Sequence, residues 1–185
     1  MTDDVRISPS TYSRTAVVLH WVIGLLVLST IPLGLYGASS ESTAAQTATN
    51  THKTIGIAIL LLTLVRIGWR LAHKPPALAQ SMPAWQRRAA RISHALFYVL
   101  LLILPLSGWW MSSAVPKRHP FGIGGWEIPF LPVPRGWASA GPAYLVHVSL
   151  GFLMIGLVLL HIFAVIKHHY VDRDDTLARM LPRKL

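Results

Sequence analysis

Four apolar stretches, each about as long as a membrane-spanning helix, constrain the fold of this chain more than any other feature. They cover roughly Thr15–Tyr36, Thr54–Leu71, Ile92–Ser112 and Tyr144–Lys167. About 20 apolar residues cross the hydrocarbon core as a helix, and only helices or closed barrels satisfy their own backbone hydrogen bonds in lipid. With 52% hydrophobic residues among 185, the chain is too apolar for a soluble domain. The sequence predicts an all-α integral membrane four-helix bundle, a single domain over residues 1–185.

The basic residues are divided unevenly between the two ends of these spans. Only four of the 17 Lys and Arg residues fall on one side, which leaves 13 with the termini and the connection between spans two and three. Because Lys and Arg accumulate in cytoplasmic loops, both termini are predicted to be cytoplasmic. Topology therefore explains most of the net charge of +10, and no nucleic-acid partner is expected. The four residues on the outer, periplasmic side are Lys53, Lys117, Arg118 and Arg135.

The absence of cysteine excludes disulfides, cysteine-ligated iron–sulfur clusters and thioether-attached haem. The first span also has features of a signal peptide, because it follows Arg14 and ends near Ala38. Its apolar run is longer than the usual 7–15 residues, and cleavage would remove His20. A retained first span is therefore predicted.

Four histidines lie in or at the outer edge of the spans, at two depths. His147 and His161 are fourteen residues apart in the last span, about 40° short of four helical turns and about 21 Å along the axis, so both rings face one way. The direction of each span places His52 with His147 near the outer surface and His20 with His161 near the inner one. Ionisable residues inside a span are costly and usually face the bundle interior for a functional reason. Two imidazoles from facing helices suit a six-coordinate haem b iron, so two haem b groups per chain are predicted.

Glycine accompanies three of these four histidines. Gly24, Gly56 and Gly151 each follow one of them by four residues, whereas His161 has Val165 at that place. Residues at i and i+4 share a helix face, so each glycine leaves room for a flat macrocycle beside its histidine. Glycine also serves close helix packing in membranes, and a single histidine can serve as a packing donor.

Two further histidines near the inner surface have more than one interpretation. His94 is followed by Tyr98 instead of glycine; backing a ligand, binding a propionate, lining a quinone pocket and plain packing all fit. His168 lies seven residues after His161 on the same helix face and competes for the inner ligand role. Two others are predicted to be loop residues: His73 and His119.

Arg66 and Arg70 lie at the inner end of the second span. Arginine pairs well with carboxylates, so both are candidates for binding the propionates of the inner haem. A positive cytoplasmic flank is the alternative explanation for both residues.

Six stretches carry a family resemblance: YSRTAVVLHW, THKTIG, LVRIGWRL, ALFYVLLLILPLSGWWM, LVHVSLGFLMIGLVLLH and KHHYVDRDDTLARMLPRK. They resemble the bacterial cytochrome b561 family, relatives of the cytochrome b subunits of formate dehydrogenase and nickel–iron hydrogenase. The resemblance implies four helices in the bacterial inner membrane, a multi-pass topology, two bis-histidine haem b groups and electron exchange with quinone. Carried over by position, the iron ligands are His20, His52, His147 and His161.

The expected function is that of a di-haem b oxidoreductase, which passes electrons between a periplasmic donor and membrane quinone, ubiquinone or another. One member of the resembled family oxidises superoxide, and this anion would be attracted by the four outer cations, although these also suit lipid headgroups or propionates. An electron carrier or membrane anchor for a periplasmic redox protein is the alternative. A haem-free histidine metal transporter is the alternative from another class.

Overall fold

The structure, a computed structural model, describes residues 12–74, 76, 82–123 and 125–181, so both extreme ends of the predicted domain 1–185 lie outside the described ranges. Its long elements are α1 (Arg14–Gly37), α2 (Thr43–Ala72), α3 (Ala84–Ala114) and α4 (Trp137–Lys167). All four are long and apolar enough to cross a membrane. The predicted all-α membrane four-helix bundle is confirmed.

Three of the helices begin about two or more turns earlier than the predicted spans. α2 begins at Thr43 instead of Thr54, because the Ser42 side chain caps it by accepting a hydrogen bond from the Ala45 N–H at 3.2 Å. α3 and α4 likewise begin at Ala84 and Trp137. Hydropathy detects only the part of a helix that lies in hydrocarbon, so these first turns fall outside the predicted spans.

The helices pack in chain order, α1 on α2, α2 on α3 and α3 on α4, whereas α1 and α4 do not form a closely packed pair. A cluster of seven buried apolar residues, the central cluster, holds the bundle together at mid-depth. It consists of Ile23, Val27, Ile59, Leu100, Leu101, Met154 and Leu157. The outward faces expose large apolar side chains such as Leu25, Leu61, Phe152 and Phe163. Lipid covers such faces in a membrane protein.

The segment between α3 and α4 folds onto the outer end of the bundle. It contains a two-stranded antiparallel hairpin, β1 (Gly122–Ile123) and β2 (Trp126–Glu127). The Thr54 hydroxyl of α2 donates to the Gly122 carbonyl at 3.0 Å, and the Trp109 indole N–H donates to the Pro129 carbonyl at 2.9 Å. The buried Phe121 side chain completes this cap.

The segment after α4 folds back under the inner end. A π-helical turn (His168–Asp172) and a 3-10 turn (Ala178–Met180) bring the Met180 carbonyl to the Trp21 indole N–H of α1 at 2.6 Å. Partial burial would raise the pKa of the Asp174 carboxyl, but hydrogen bonds from Thr176 and His168 outweigh it and lower that pKa. The tail is therefore tied to the bundle by specific polar contacts.

The predicted topology can be tested directly, since the chain has no native cysteine. Ala44 at the outer start of α2 and Ala178 in the tail both lie outside the apolar part of the bundle. In spheroplasts, a membrane-impermeant maleimide should label Ala44→Cys at once and Ala178→Cys only after permeabilisation. The reverse labelling pattern would contradict cytoplasmic termini.

Candidate functional site

The outer histidine pair joins α2 to α4. The ring centres of His52 and His147 are 5.9 Å apart, with the ring planes at 86°. Metal–imidazole bonds are about 2 Å long, as at zinc sites, so two axial imidazoles on one metal have ring centres roughly 6 Å apart. The spacing of the pair therefore fits one metal ion between the two rings.

Both outer rings are held through the same nitrogen, Nδ1. His52 Nδ1 lies 2.8 Å from the Thr30 carbonyl oxygen and 3.0 Å from the Thr30 hydroxyl. His147 Nδ1 lies 3.0 Å from the Leu104 carbonyl oxygen and 3.1 Å from the Ser107 hydroxyl. A carbonyl only accepts hydrogen bonds, so each Nδ1 carries the proton and each Nε2 keeps its lone pair. This is the usual arrangement of a metal-ligating histidine.

Two glycines allow these contacts to form. A Cβ on Gly34 would lie 2.8 Å from His52 ring atoms, and a Cβ on Gly108 would lie 3.0 Å from His147 Cε1. Because neither glycine has a side chain, each imidazole ring can lie directly against the backbone of the neighbouring helix. Sequence reasoning missed both roles, because the sequence does not show which carbonyls of the neighbouring helices the rings approach.

The inner site contains three imidazoles instead of two. The ring centre of His161 is 6.2 Å from that of His20 and 6.2 Å from that of His94. Phe97 packs against His161 with ring centres 5.4 Å apart. Distance alone therefore does not distinguish His20 from His94 as the partner of His161.

The surroundings favour His20 as that partner. Gly24, one turn from His20, has no atom within 4 Å of the position a Cβ would take. Tyr98, one turn from His94, instead fills its space and accepts a hydrogen bond from Arg66 at 3.2 Å. His20 lies on α1 and His161 on α4. These two helices are not closely packed against each other, which leaves space between them.

The other two glycines singled out by the sequence also border open space. Gly56 and Gly151, one turn from His52 and His147, have no atom within 4 Å of the position that an added Cβ would occupy. Each of the three glycines thus borders open space that a side chain would enter. This space and the two imidazole spacings fit a flat, metal-centred ring at each depth.

Arg66 and Arg70 lie beside the inner site. The Arg66 guanidinium donates to the Ala16 carbonyl at 3.1 Å, one turn before His20, and the Arg70 guanidinium lies 5.7 Å from the centre of the Tyr98 ring. Among the described residues neither forms an ion pair. Both line a cavity of about 330 Å³ at the inner end of α1, α2 and α3, and no carboxylate of the described residues lines it.

The four outer cations are dispersed, each with its own contacts. Lys53 Nζ lies 5.5 Å from the centre of the Phe121 ring. Arg118 donates to the Ser113 carbonyl at 2.7 Å, and Arg135 donates to the Pro116 carbonyl at 2.8 Å. Lys117 is exposed. The two arginines therefore help to fix the cap, whereas Lys117 extends into its surroundings.

Three further histidines make their contacts away from the two imidazole pairs. His73 stacks on Trp69 with ring centres 3.9 Å apart, and His119 lines a small outer cavity with Lys53. His168 Nδ1 lies 2.7 Å from an Asp174 carboxylate oxygen. This contact ties His168 to the tail and makes it a weaker alternative to His161.

Paired imidazoles at two depths inside a four-helix membrane bundle define the class, a membrane cytochrome of the b type. The family model of prokaryotic cytochrome b561 matches residues 11–183, and the chain belongs to this family. It is accordingly a multi-pass protein of the bacterial inner membrane, and family membership implies haem b binding. The haem-free metal transporter is not favoured.

Three relatives show how far the similarity extends. Cytochrome b561 homolog 2 of Escherichia coli is 32% identical over 94% of this chain and 93% of the relative. Probable superoxide oxidase CybB of Yersinia pestis is 29% identical over 94% and 97%. Cytochrome b562 of Cereibacter sphaeroides is 31% identical over 92% and 94%. The similarity thus covers nearly the whole chain.

The role of the open space at these glycines can be tested by filling it. Gly56→Leu and Gly151→Leu should each lower haem content by about half, from the predicted two per chain to one, because the new side chain enters the space beside a ligand that remains. Gly141→Leu is the matched control: Gly141 also borders open space but lies about 15 Å along α4 from Gly151. Pyridine haemochrome assay against protein mass measures the ratio. Full haem content in both variants would assign these glycines to helix packing.

Proposed function

We propose that this chain is a di-haem b oxidoreductase, a superoxide–quinone oxidoreductase that passes electrons from periplasmic superoxide to membrane quinone. The observation that carries the proposal is the pair of imidazole sites at two depths, separated by the central cluster. Two one-electron sites on opposite sides of a dry layer suit electron transfer through the membrane better than storage or transport of a metal.

The cofactor assignment follows from the donor set. His52 with His147, and His20 with His161, would hold the two irons, while Gly24, Gly56 and Gly151 leave space for the macrocycles. Arg66 and Arg70 would pair with the propionates of the inner group, since both guanidinium groups line the cavity at the inner end, no carboxylate of the described residues lines it, and arginine pairs well with carboxylates. When bound, haem b supplies reversible one-electron oxidation and reduction.

The protein would hold the two sites apart and exclude water from the layer between them. His147 and His161 are about 21 Å apart along α4, and the central cluster fills the layer between them with apolar side chains. Such a layer excludes water and lowers the local dielectric, which limits side reactions of a reduced site. The lipid-facing apolar surface of the helices keeps both sites at fixed depths.

Superoxide is proposed as the donor on two grounds. One relative is named a probable superoxide oxidase, and the outer end carries four cations against two carboxylates, Glu41 and Glu127. Positive charge near a site raises the association rate of an anion. Two superoxide ions would each give up one electron and become O₂. One quinone would take up both electrons together with two protons and become quinol.

An electron carrier or anchor for a periplasmic redox protein is the second candidate function. The favouring observation is the outer cap, which exposes 85% of Trp126 on the side where such a partner would dock. Aromatic residues are enriched both at protein interfaces and at the membrane surface. Superoxide oxidation in purified protein separates the two candidates, since a carrier needs its partner.

The test is stopped-flow mixing of the purified protein with superoxide, with and without ubiquinone, while the reduced haem band is followed. We expect reduction by superoxide and reoxidation by ubiquinone. The reduction rate should fall several-fold between about 0.1 M and 1 M salt, since the Debye length shrinks from about 10 Å to about 3 Å. Lys117→Glu should slow reduction by superoxide and leave reduction by a neutral quinol unchanged.

Arg88→Glu is the matched charge reversal, since Arg88 lies on the predicted cytoplasmic side and its reversal should leave both rates unchanged. Lys117 is preferred to Arg118 because reversal of Arg118 would also break the contacts that fix the cap. Absence of reduction by superoxide would favour the carrier function. Reduction that is indifferent to salt and to Lys117→Glu would remove the steering role of the outer cations.

A further inference from the structure

We infer that the hydrogen bonds from the outer histidines to the Thr30 and Leu104 carbonyls give the outer haem the lower midpoint potential, so that electrons pass inward. The inference rests on the proposed haem ligation and adds a direction to it. Thr30, Leu104, Gly34 and Gly108 act as positioning residues, because they touch the ligands and not the reacting atoms.

Each outer histidine ring contacts one carbonyl and one hydroxyl, His52 on a turn of α1 and His147 on a turn of α3. On α1 the Thr30 hydroxyl donates to the His52 carbonyl at 3.4 Å, and on α3 the Ser107 hydroxyl donates to the Leu104 carbonyl at 2.8 Å. Each hydroxyl therefore offers only its lone pairs to the ring, so both hydroxyl and carbonyl accept from the Nδ1 proton. Each outer imidazole thus faces two acceptors.

The inner rings have different neighbours. In the part of the chain that the structure describes, no hydrogen bond reaches a ring nitrogen of His20 or His161. Their contacts are with other rings: His20 with Trp21 at 5.7 Å between centres, and His161 with His94 and Phe97. The two sites are thus alike in spacing and unlike in what holds the ligands.

This difference has a definite electronic sign. An acceptor on Nδ1–H pulls the proton away from the ring and makes the opposite nitrogen, Nε2, more basic. A more basic ligand stabilises ferric over ferrous iron, and hydrogen bonding around the ligands is one of the means by which proteins set haem potential. Cations lie near both sites, Lys53 at the outer one and the two arginines at the inner one, so the hydrogen bonds are the clearest asymmetry.

Gly34 and Gly108 make the inference testable without altering a ligand. An added Cβ at Gly34 would meet the His52 ring at 2.8 Å, and one at Gly108 would meet the His147 ring at 3.0 Å. Gly34→Ala and Gly108→Ala should therefore push each ring off its carbonyl and lengthen the Nδ1–H bond. Gly141→Ala, which meets nothing within 4 Å, is the control.

Spectropotentiometric titration of the haem-loaded protein should resolve two waves. Both substitutions should move the lower wave to more positive potential, Gly34→Ala by more than Gly108→Ala, and leave the higher wave in place. The low-spin EPR signal of the same haem should shift with it, whereas Gly141→Ala should change neither. His161→Ala, which removes the inner site, should retain the lower wave.

Two results would overturn the inference. One is retention of the higher wave in His161→Ala; the other is an unmoved lower wave in a Gly34→Ala or Gly108→Ala protein that keeps both haems. If Gly34→Ala loses haem, two results still test the inference: the shift of the lower wave in the milder Gly108→Ala variant, and the wave that remains in His161→Ala. A wild-type protein with fewer than two haems would instead contradict the proposed function, so the two failures are distinguishable.

Discussion

The hydrogen bond from an imidazole N–H to a backbone carbonyl inside the membrane is the interaction on which the outer site depends. A polar ring in hydrocarbon needs a partner for its N–H, and in a helix the nearest carbonyls are already engaged. Thr30 and Leu104 accept the extra bond because Gly34 and Gly108 let the rings approach α1 and α3 closely. Helix register, ring tautomer and the direction of Nε2 all follow from this contact.

The second constraint is the separation of two polar sites by an apolar layer. The central cluster lies between the histidine pairs on α1 and α4, where Ile23 and Val27 follow His20 while Met154 and Leu157 lie between His147 and His161. This cluster draws on all four helices, although α1 and α4 are not closely packed against each other. The apolar layer keeps the two polar sites apart.

Much of this arrangement could be predicted from the sequence, because hydropathy and a period of 3.6 residues determine depth and face. They placed His52 with His147 and His20 with His161, and the rings of each pair are adjacent. Contacts between helices have no such period, so Gly34 was missed and His94 stayed open. The start of α2 at Thr43 depends on a cap that hydropathy does not detect, and the dispersion of the outer cations depends on how the segment between α3 and α4 folds.

The most direct test of the account is the number and location of haem b groups per chain. Pyridine haemochrome assay against protein mass should give close to two for the wild type. His52→Ala or His147→Ala should remove only the outer haem, and His20→Ala or His161→Ala only the inner one, as judged by which EPR signal disappears. A wild-type ratio near one, or a His94→Ala variant that loses the inner haem while His20→Ala keeps it, would contradict the assignment of the two imidazole pairs.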